Sequence, residues 1–322
     1  MRMPDETLAD AAGRRWRAVD PLLPRPDGAV AGCGADLVAA GLDGRLVAVA
    51  ACEHWAGVPG SMDMTWSAAR TFRLTALVAG GDVTRALDVL LARWRDHLDR
   101  VRGADGPDTA AVVTWPSRDV AGASALLRHG LAPLVGVAAR TARGLSQPGV
   151  RGRGGPAGAG VQIRRAGPAD GDDVTRLGLE TIRFDALFGS VKERHDTGEA
   201  LRAEAATALA DPEPWVWLAE RAGTPVGMAW VQRPEAAADI AAMTAVTPAA
   251  YFYLMGVAAS ERGGGIGAAL AARAHREIDA AGMAATLLHY ALPSPLSAPF
   301  WAMQGYRPLW TGWEAHPASM LR

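Results

Sequence analysis

The sequence predicts an α+β protein of two similar halves, each a mixed, mostly antiparallel sheet flanked by helices. Three observations carry that expectation. A stretch rich in Gly, Pro and Arg, without apolar period, interrupts the chain near its middle at residues 146–159. Each half contains a two-stranded hairpin, turning at Asp43-Gly44 in the first and at Ala222-Gly223 in the second. A shift of 175 residues also lays the end of one half on the end of the other, setting Val112 on Leu287, Asp119 on Ser294, Gly130 on Gly305 and Pro133 on Pro308. The expected division is a first domain at 1–145, a linker at 146–159 and a second domain at 160–322.

The elements of the second half follow from pattern. A strand at 161–166 precedes helices between 170 and 209, and the hairpin spans 215–231. A strand at 250–258 runs through a glycine loop into a helix at 265–281. Along that helix Ile266, Leu270, Ala274 and Ile278 recur every four residues, an apolar stripe fit to lie on a sheet. Gly282 stands where a helix ends in the left-handed conformation. A strand at 285–292, a Pro-broken loop, a short helix at 297–304 and a strand from Arg307 complete the half. In the first half the matching strand and helix lie between Leu74 and Trp94, joined by Gly80, Gly81 and Asp82.

Bulk composition narrows the function classes. The 322 residues are 49% apolar and 21% charged, a globular composition, with a formal net charge of −1. Such a balance offers no footprint for nucleic acid or an anionic membrane. Lys192 is the only lysine beside many arginines, which reads as the codon habit of a GC-rich genome. No apolar run approaches the ~18 residues of a transmembrane helix, and the polar N-terminus does not read as a secretion signal. Cys33 and Cys52 are too few for a disulfide framework, and no Cys/His spacing implies a metal. The expectation is a cytoplasmic protein without metal.

Chemistry concentrates in VAASERGGGIGAAL, residues 257–270. A P-loop would place Lys and Ser or Thr after the last glycine, where Ala268 and Ala269 stand. Gly263, Gly265 and Ala268 fit the dinucleotide spacing G-x-G-x-x-A, but the following strand LLHYAL carries no carboxylate for a ribose. Arg262, Gly265 and Gly267 fit a third pattern, R-x-x-G-x-G. There main-chain N–H groups and a helix N-terminus wrap a pyrophosphate, glycine permits close approach and positive φ, and the arginine adds a bidentate cation. A tight turn without ligand is the plain alternative, although one glycine would serve it.

With the strand YLMGV before this loop and the ending LLHYALPSPLSAPFWAMQGYRPL after it, residues 160–322 resemble the GCN5-related N-acetyltransferase (GNAT) superfamily. The whole chain looks like two such folds in tandem, with the coenzyme loop only in the second. The resemblance implies acetyl-CoA as co-substrate and transfer of its acetyl group to the amine of a small molecule by direct attack on the thioester. It implies that the strand before the loop splays from its neighbour, leaving main-chain groups of Met255, Gly256 and Val257 for the pantetheine arm. The pyrophosphate would sit on Arg262, Gly263, Gly264, Gly265, Ile266, Gly267 and Ala268, and Ser294 would reach the arm from the place of the family's Asn. Trp301 occupies the place of the family's thiolate-protonating Tyr and cannot donate that proton. Tyr251 stands where some members carry a basic Glu, a poor base unless its pKa falls.

His289 has a fitting pKa, and the resemblance implies that Glu180 and Asp185 border the acceptor side. Solvated helix charges and a structural histidine are the plain readings of these three. The first half lacks the R-x-x-G-x-G pattern, and Asp82 would cap its own helix and repel phosphate. That half is expected to bind no acetyl-CoA and to shape the acceptor cleft, so the chain works as a monomeric pseudo-dimer or as a homodimer. A non-catalytic acyl-CoA-binding sensor and a Rossmann-type nucleotide enzyme are the competing functions.

Overall fold

The structure, a computed structural model, describes residues 4–26, 36–79, 81–142 and 160–322. The linker expected at 146–159, together with Cys33 and Gly80, lies outside them. The first part of the chain forms α1 (Pro4–Val19), β1 (Asp36–Leu42), β2 (Arg45–Ala56), α2 (Asp63–Trp66), β3 (Arg70–Val78), α3 (Val83–Leu98), β4 (Thr109–Pro116), α4 (Val120–Arg128) and β5 (Ala132–Thr141). There follow β6 (Val161–Arg165), α5 (Gly171–Ala186), α6 (Thr197–Leu209), β7 (Val216–Arg221), β8 (Thr224–Gln232), α7 (Ala238–Ala241), β9 (Ala249–Val257), α8 (Ile266–Ala280), β10 (Ala285–Ala291), α9 (Ser297–Met303) and β11 (Arg307–Ala315). Six ladders are antiparallel and only β3/β4 and β9/β10 run parallel among the registers described, as the mixed-sheet expectation requires.

The repeat is visible in backbone detail. Both hairpins turn on two consecutive residues of positive φ, Asp43 (51°) and Gly44 (75°), then Ala222 (48°) and Gly223 (79°). That is the type I′ geometry matched to strand twist. Asp119 accepts the Gly122 N–H at 3.4 Å, and Ser294 accepts the Ser297 N–H at 3.3 Å, so aligned residues cap aligned helices. Gly130 (φ 82°) and Gly305 (φ 88°) end those helices in the left-handed region.

Packing does not follow chain order. One unit comprises Met1–Gly57, Ser67–Val137 and Pro308–Arg322; the other comprises Val58–Trp66 and Ala138–Arg307. In the first unit β11 pairs antiparallel with β4, from Trp310 opposite Pro116 to Ala315 opposite Ala111. In the second, the end of β5 joins through Ala142, whose N–H donates to Ala284 O at 2.9 Å. A division at the linker therefore describes the sequence repeat and cuts across the packing units. Pattern could not show this, because an alternating apolar strand suits either sheet.

In the first unit α3 lays Leu87, Leu90, Leu91 and Trp94 on Leu74, Val113 and Trp115. In the second, the predicted stripe of α8 is buried against Trp217, Ala229 and Phe252. On the other face α5 and α6 bring Leu177, Ile182 and Leu201 onto Leu218, Met228 and Leu254. That face also holds the segment Val58–Trp66. Met62 is buried in its core, Thr65 O accepts the Lys192 N–H at 2.8 Å, and Thr65 Oγ1 lies 2.9 Å from Thr197 Oγ1.

Candidate active site

The site begins with a fault in a ladder. Trp230 of β8 pairs with Leu254 and Val231 pairs with Phe252, so Tyr253 of β9 is left as a bulge. A bulge adds local twist and bends the strand that carries it. On the other side β9 pairs with β10 only from Ala249–Ala285 to Phe252–Leu288. From Tyr253 to Val257 the β10-facing edge of β9 has no strand partner among the described residues, while β8 still holds the opposite edge through Gly227–Val257. Met255, Gly256 and Val257 thus lie on an edge that β10 does not pair. Gly256 has an additional cause, since a Cβ there would meet Thr181 Oγ1 at 1.9 Å. Its hydrogen lets α5 lie on the strand.

At the end of β9 the chain makes a single 3-10 turn, Ala259–Glu261, and then the glycines. Gly263 has φ 82° and Gly265 φ 79°, the latter directly before α8. Nothing lies within 4 Å of a Cβ at Gly263, so its glycine answers to backbone sign rather than crowding. Such reversals aim successive N–H groups to one side. The α8 N-terminus has no side-chain cap, so its leading amides join that concavity together with the positive end of the helix dipole. Gly267 serves packing instead, with Phe300 3.4 Å from the position of its absent Cβ.

Arg262 departs from its expected role. Its Nε donates to Val257 O at 3.1 Å, its guanidinium lies 4.7 Å from the Phe184 ring centre, and Nη2 is 3.7 Å from Glu180 Oε1. That Glu180 oxygen accepts the Ala259 N–H at 2.6 Å. Glu180 is therefore a brace for the loop rather than a free base, and the Val257 carbonyl is already engaged. On the next turn of α5 the Asp185 carboxyl is pushed up to about 6 by burial, against the opposing pull of Arg262.

At the inner end of the splay, where the β9/β10 ladder stops, the Tyr251 hydroxyl lies 3.0 Å from His289 Nδ1, with the rings 5.5 Å apart and nearly perpendicular. Burial raises the Tyr251 phenol above its ordinary value, the reverse of what a base needs. Tyr251 is therefore protonated at neutral pH, in line with its reading as a poor base. His289 is an exposed residue whose imidazole is pushed down by neighbouring protein atoms, so it is neutral at pH 7. Ser294 is 2% exposed, and its Oγ accepts from Ser297 N and Oγ at the first residue of α9. Trp301 packs edge-on to Phe252 and Tyr306.

Sequence reasoning missed a second group on this face. Tyr253 donates to Glu204 Oε2 of α6 at 2.5 Å, and its ring meets Trp230 and Trp66 edge-on at 4.8 and 5.8 Å. The bulge that brings Tyr253 here has no sequence signature, and Trp66 arrives from the other half of the chain. Among the described residues no cluster of His, Cys, Asp and Glu could hold a metal ion, and no helix is long and apolar enough to cross a membrane.

Residues 181–306 match the model of the Acetyltransferase (GNAT) family. Among solved structures, a GCN5-related N-acetyltransferase from Sphaerobacter thermophilus aligns with a TM-score of 0.58 and 17% identity, over 98% of this chain and 92% of that one. An acetyltransferase of the GNAT family from Colwellia psychrerythraea aligns with a TM-score of 0.51 and 11% identity, over 95% and 96%. At these identities the likeness is one of fold, and it spans both halves. No curated protein sequence gives a significant match.

Proposed function

We propose, from the premise that residues 181–306 are a domain of the GNAT acetyltransferase family, that this chain transfers an acetyl group from acetyl-CoA to the amine of a small molecule. The observation that carries the reading is the pairing of a splayed strand edge with a positive-φ glycine loop at an uncapped helix N-terminus, both on β9. In the proposed complex the edge from Met255 to Val257 orients the pantetheine arm, and the amides from Gly263 to Ala268 hold the pyrophosphate. Ile266, buried beneath the loop, fixes those amides by packing and not by contact.

Acetyl-CoA supplies an acyl carbon activated as a thioester; the chain supplies position and proton transfer. Tyr251, held protonated, is the group that can donate to the departing sulfur in place of Trp301. Neutral His289, hydrogen-bonded to Tyr251, can accept the proton released by the amine and pass it to the Tyr251 phenolate left after the sulfur is protonated. Calorimetric titration tests the coenzyme: acetyl-CoA should bind and NAD should not, and the opposite result overturns the reading. Thiol release from acetyl-CoA across a panel of amines tests turnover. Tight coenzyme binding with silence over the panel would mark an acyl-CoA sensor instead, the reading that Trp301 favours.

A further inference from the structure

Beside the splay stands a carboxylate without a basic partner. Glu204 takes part in no ion pair among the described residues, and its one hydrogen bond comes from the Tyr253 phenol. The Trp66 indole N–H in turn hydrogen-bonds that phenol. Aromatic rings surround the group, with Tyr253 against Trp230, Trp66 and Tyr251 at centroid distances of 4.8, 5.8 and 6.1 Å. Glu204, Tyr253 and Trp66 are each half-buried, so a small molecule can reach them. Asp63, on the same inserted segment as Trp66, adds a second negative charge nearby.

A half-buried carboxylate whose one partner is the phenol of an aromatic cluster is unfavourable by itself and is relieved by a cation. Tyr253 is the bulge residue at which β9 leaves β10, so this cluster adjoins the place where the thioester would lie.

We propose that Glu204, with Tyr253, Trp66 and Trp230 as walls, is the subsite for the cationic nitrogen of the acceptor, and that the acceptor is an alkyl or arylalkyl amine without a neighbouring carboxylate. The proposal rests on the acetyltransfer reading for its context. Glu204 discriminates by repulsion: an amino acid would bring its carboxylate against it, while the matching amine brings only its cation.

Phenethylamine and phenylalanine, which differ by one carboxylate, form the test pair. Expected is acetylation of phenethylamine with kcat/KM at least about 100-fold above that of phenylalanine, an order that a preference for the whole ring could not produce. In Glu204→Gln the value for phenethylamine should fall at least about 10-fold, mainly through KM, with acetyl-CoA affinity unchanged. Tyr253→Phe, which keeps the ring, should fall less. Direct titration of the amine onto wild type and Glu204→Gln separates this inference from the acetyltransfer reading. If acetyl-CoA does not bind but the amine binds in a Glu204-dependent way, the subsite stands and the reaction falls. Equal handling of both probes, unchanged amine affinity in a folded Glu204→Gln, or no amine binding at all overturns the subsite.

Discussion

Replacing Gly256 by Ala isolates the contact that sets β9 against α5. The added Cβ would stand 1.9 Å from Thr181 Oγ1 and 3.3 Å from Thr181 Cβ, with Leu177 O at an ordinary 3.5 Å. Backbone sign is no obstacle, since Gly256 is not among the residues of positive φ. Thr181 could turn its hydroxyl aside, but would then give up its 3.0 Å bond to Leu177 O, a loss of about 1 kcal/mol. The Cβ–Cβ approach would remain tight and push helix and strand apart. Together these give a destabilisation of about 1–3 kcal/mol, the range of overpacked cores. That corresponds to a fall in Tm of the order of 5 °C. Thermal unfolding of Gly256→Ala, Thr181→Ala and the double variant provides the assay. Thr181→Ala removes the nearer atom, so the double variant should recover at least about 1 kcal/mol relative to additivity. A neutral Gly256→Ala, or strictly additive losses, would refute the argument that glycine is needed for helix approach. In a folded Gly256→Ala the KM for acetyl-CoA should rise, because the displaced strand carries the open edge.

Gly265→Asp should abolish acetyl-CoA binding, by forcing a side chain into a left-handed position and placing a like charge at the phosphate nest; calorimetry showing retained affinity would remove the loop from the site. Asp82→Ala should leave acetyl-CoA affinity unchanged while lowering stability by about 1 kcal/mol, because its carboxylate caps α3 through the Arg85 N–H at 3.0 Å. His275, buried and 3.0 Å from the Tyr306 hydroxyl, is pushed down to about 3, first by burial and then by Arg140. Its folded pKa lies below its unfolded value, so its contribution is complete above about pH 6.5 and is lost as pH falls toward 3. Between pH 6.5 and 5 the loss is about 2 kcal/mol, and His275→Gln should show a shallower fall of Tm over that interval.

The fold class was legible because the two periodicities are strong where sheet and helix meet. The α8 stripe of Ile266, Leu270, Ala274 and Ile278 is buried as read, and the hairpin turns and capping pairs recur in both halves. The geometry of the glycine loop was legible for the same reason: positive φ at Gly263 and Gly265 requires a residue type that sequence displays. The group around Tyr253 was not. Tyr253 points as it does because of a bulge fixed by its pairing with β8, and Trp66 reaches it through long-range packing. The residues alone left the base unassigned, because the surroundings that raise the Tyr251 phenol and lower the His289 imidazole are set by long-range packing that no local pattern encodes.

The place of β11 bears on how the chain is made. The first unit takes its β11 from the last stretch of the sequence, Pro308–Arg322. Until that stretch leaves the ribosome, β4 presents an unpaired edge through the synthesis of the whole second half, a delay on the order of ten seconds or more. The first unit therefore lacks one of its strands until the end of the second half has been made. A chain truncated after Arg307 would lack a strand not of its final domain but of its first.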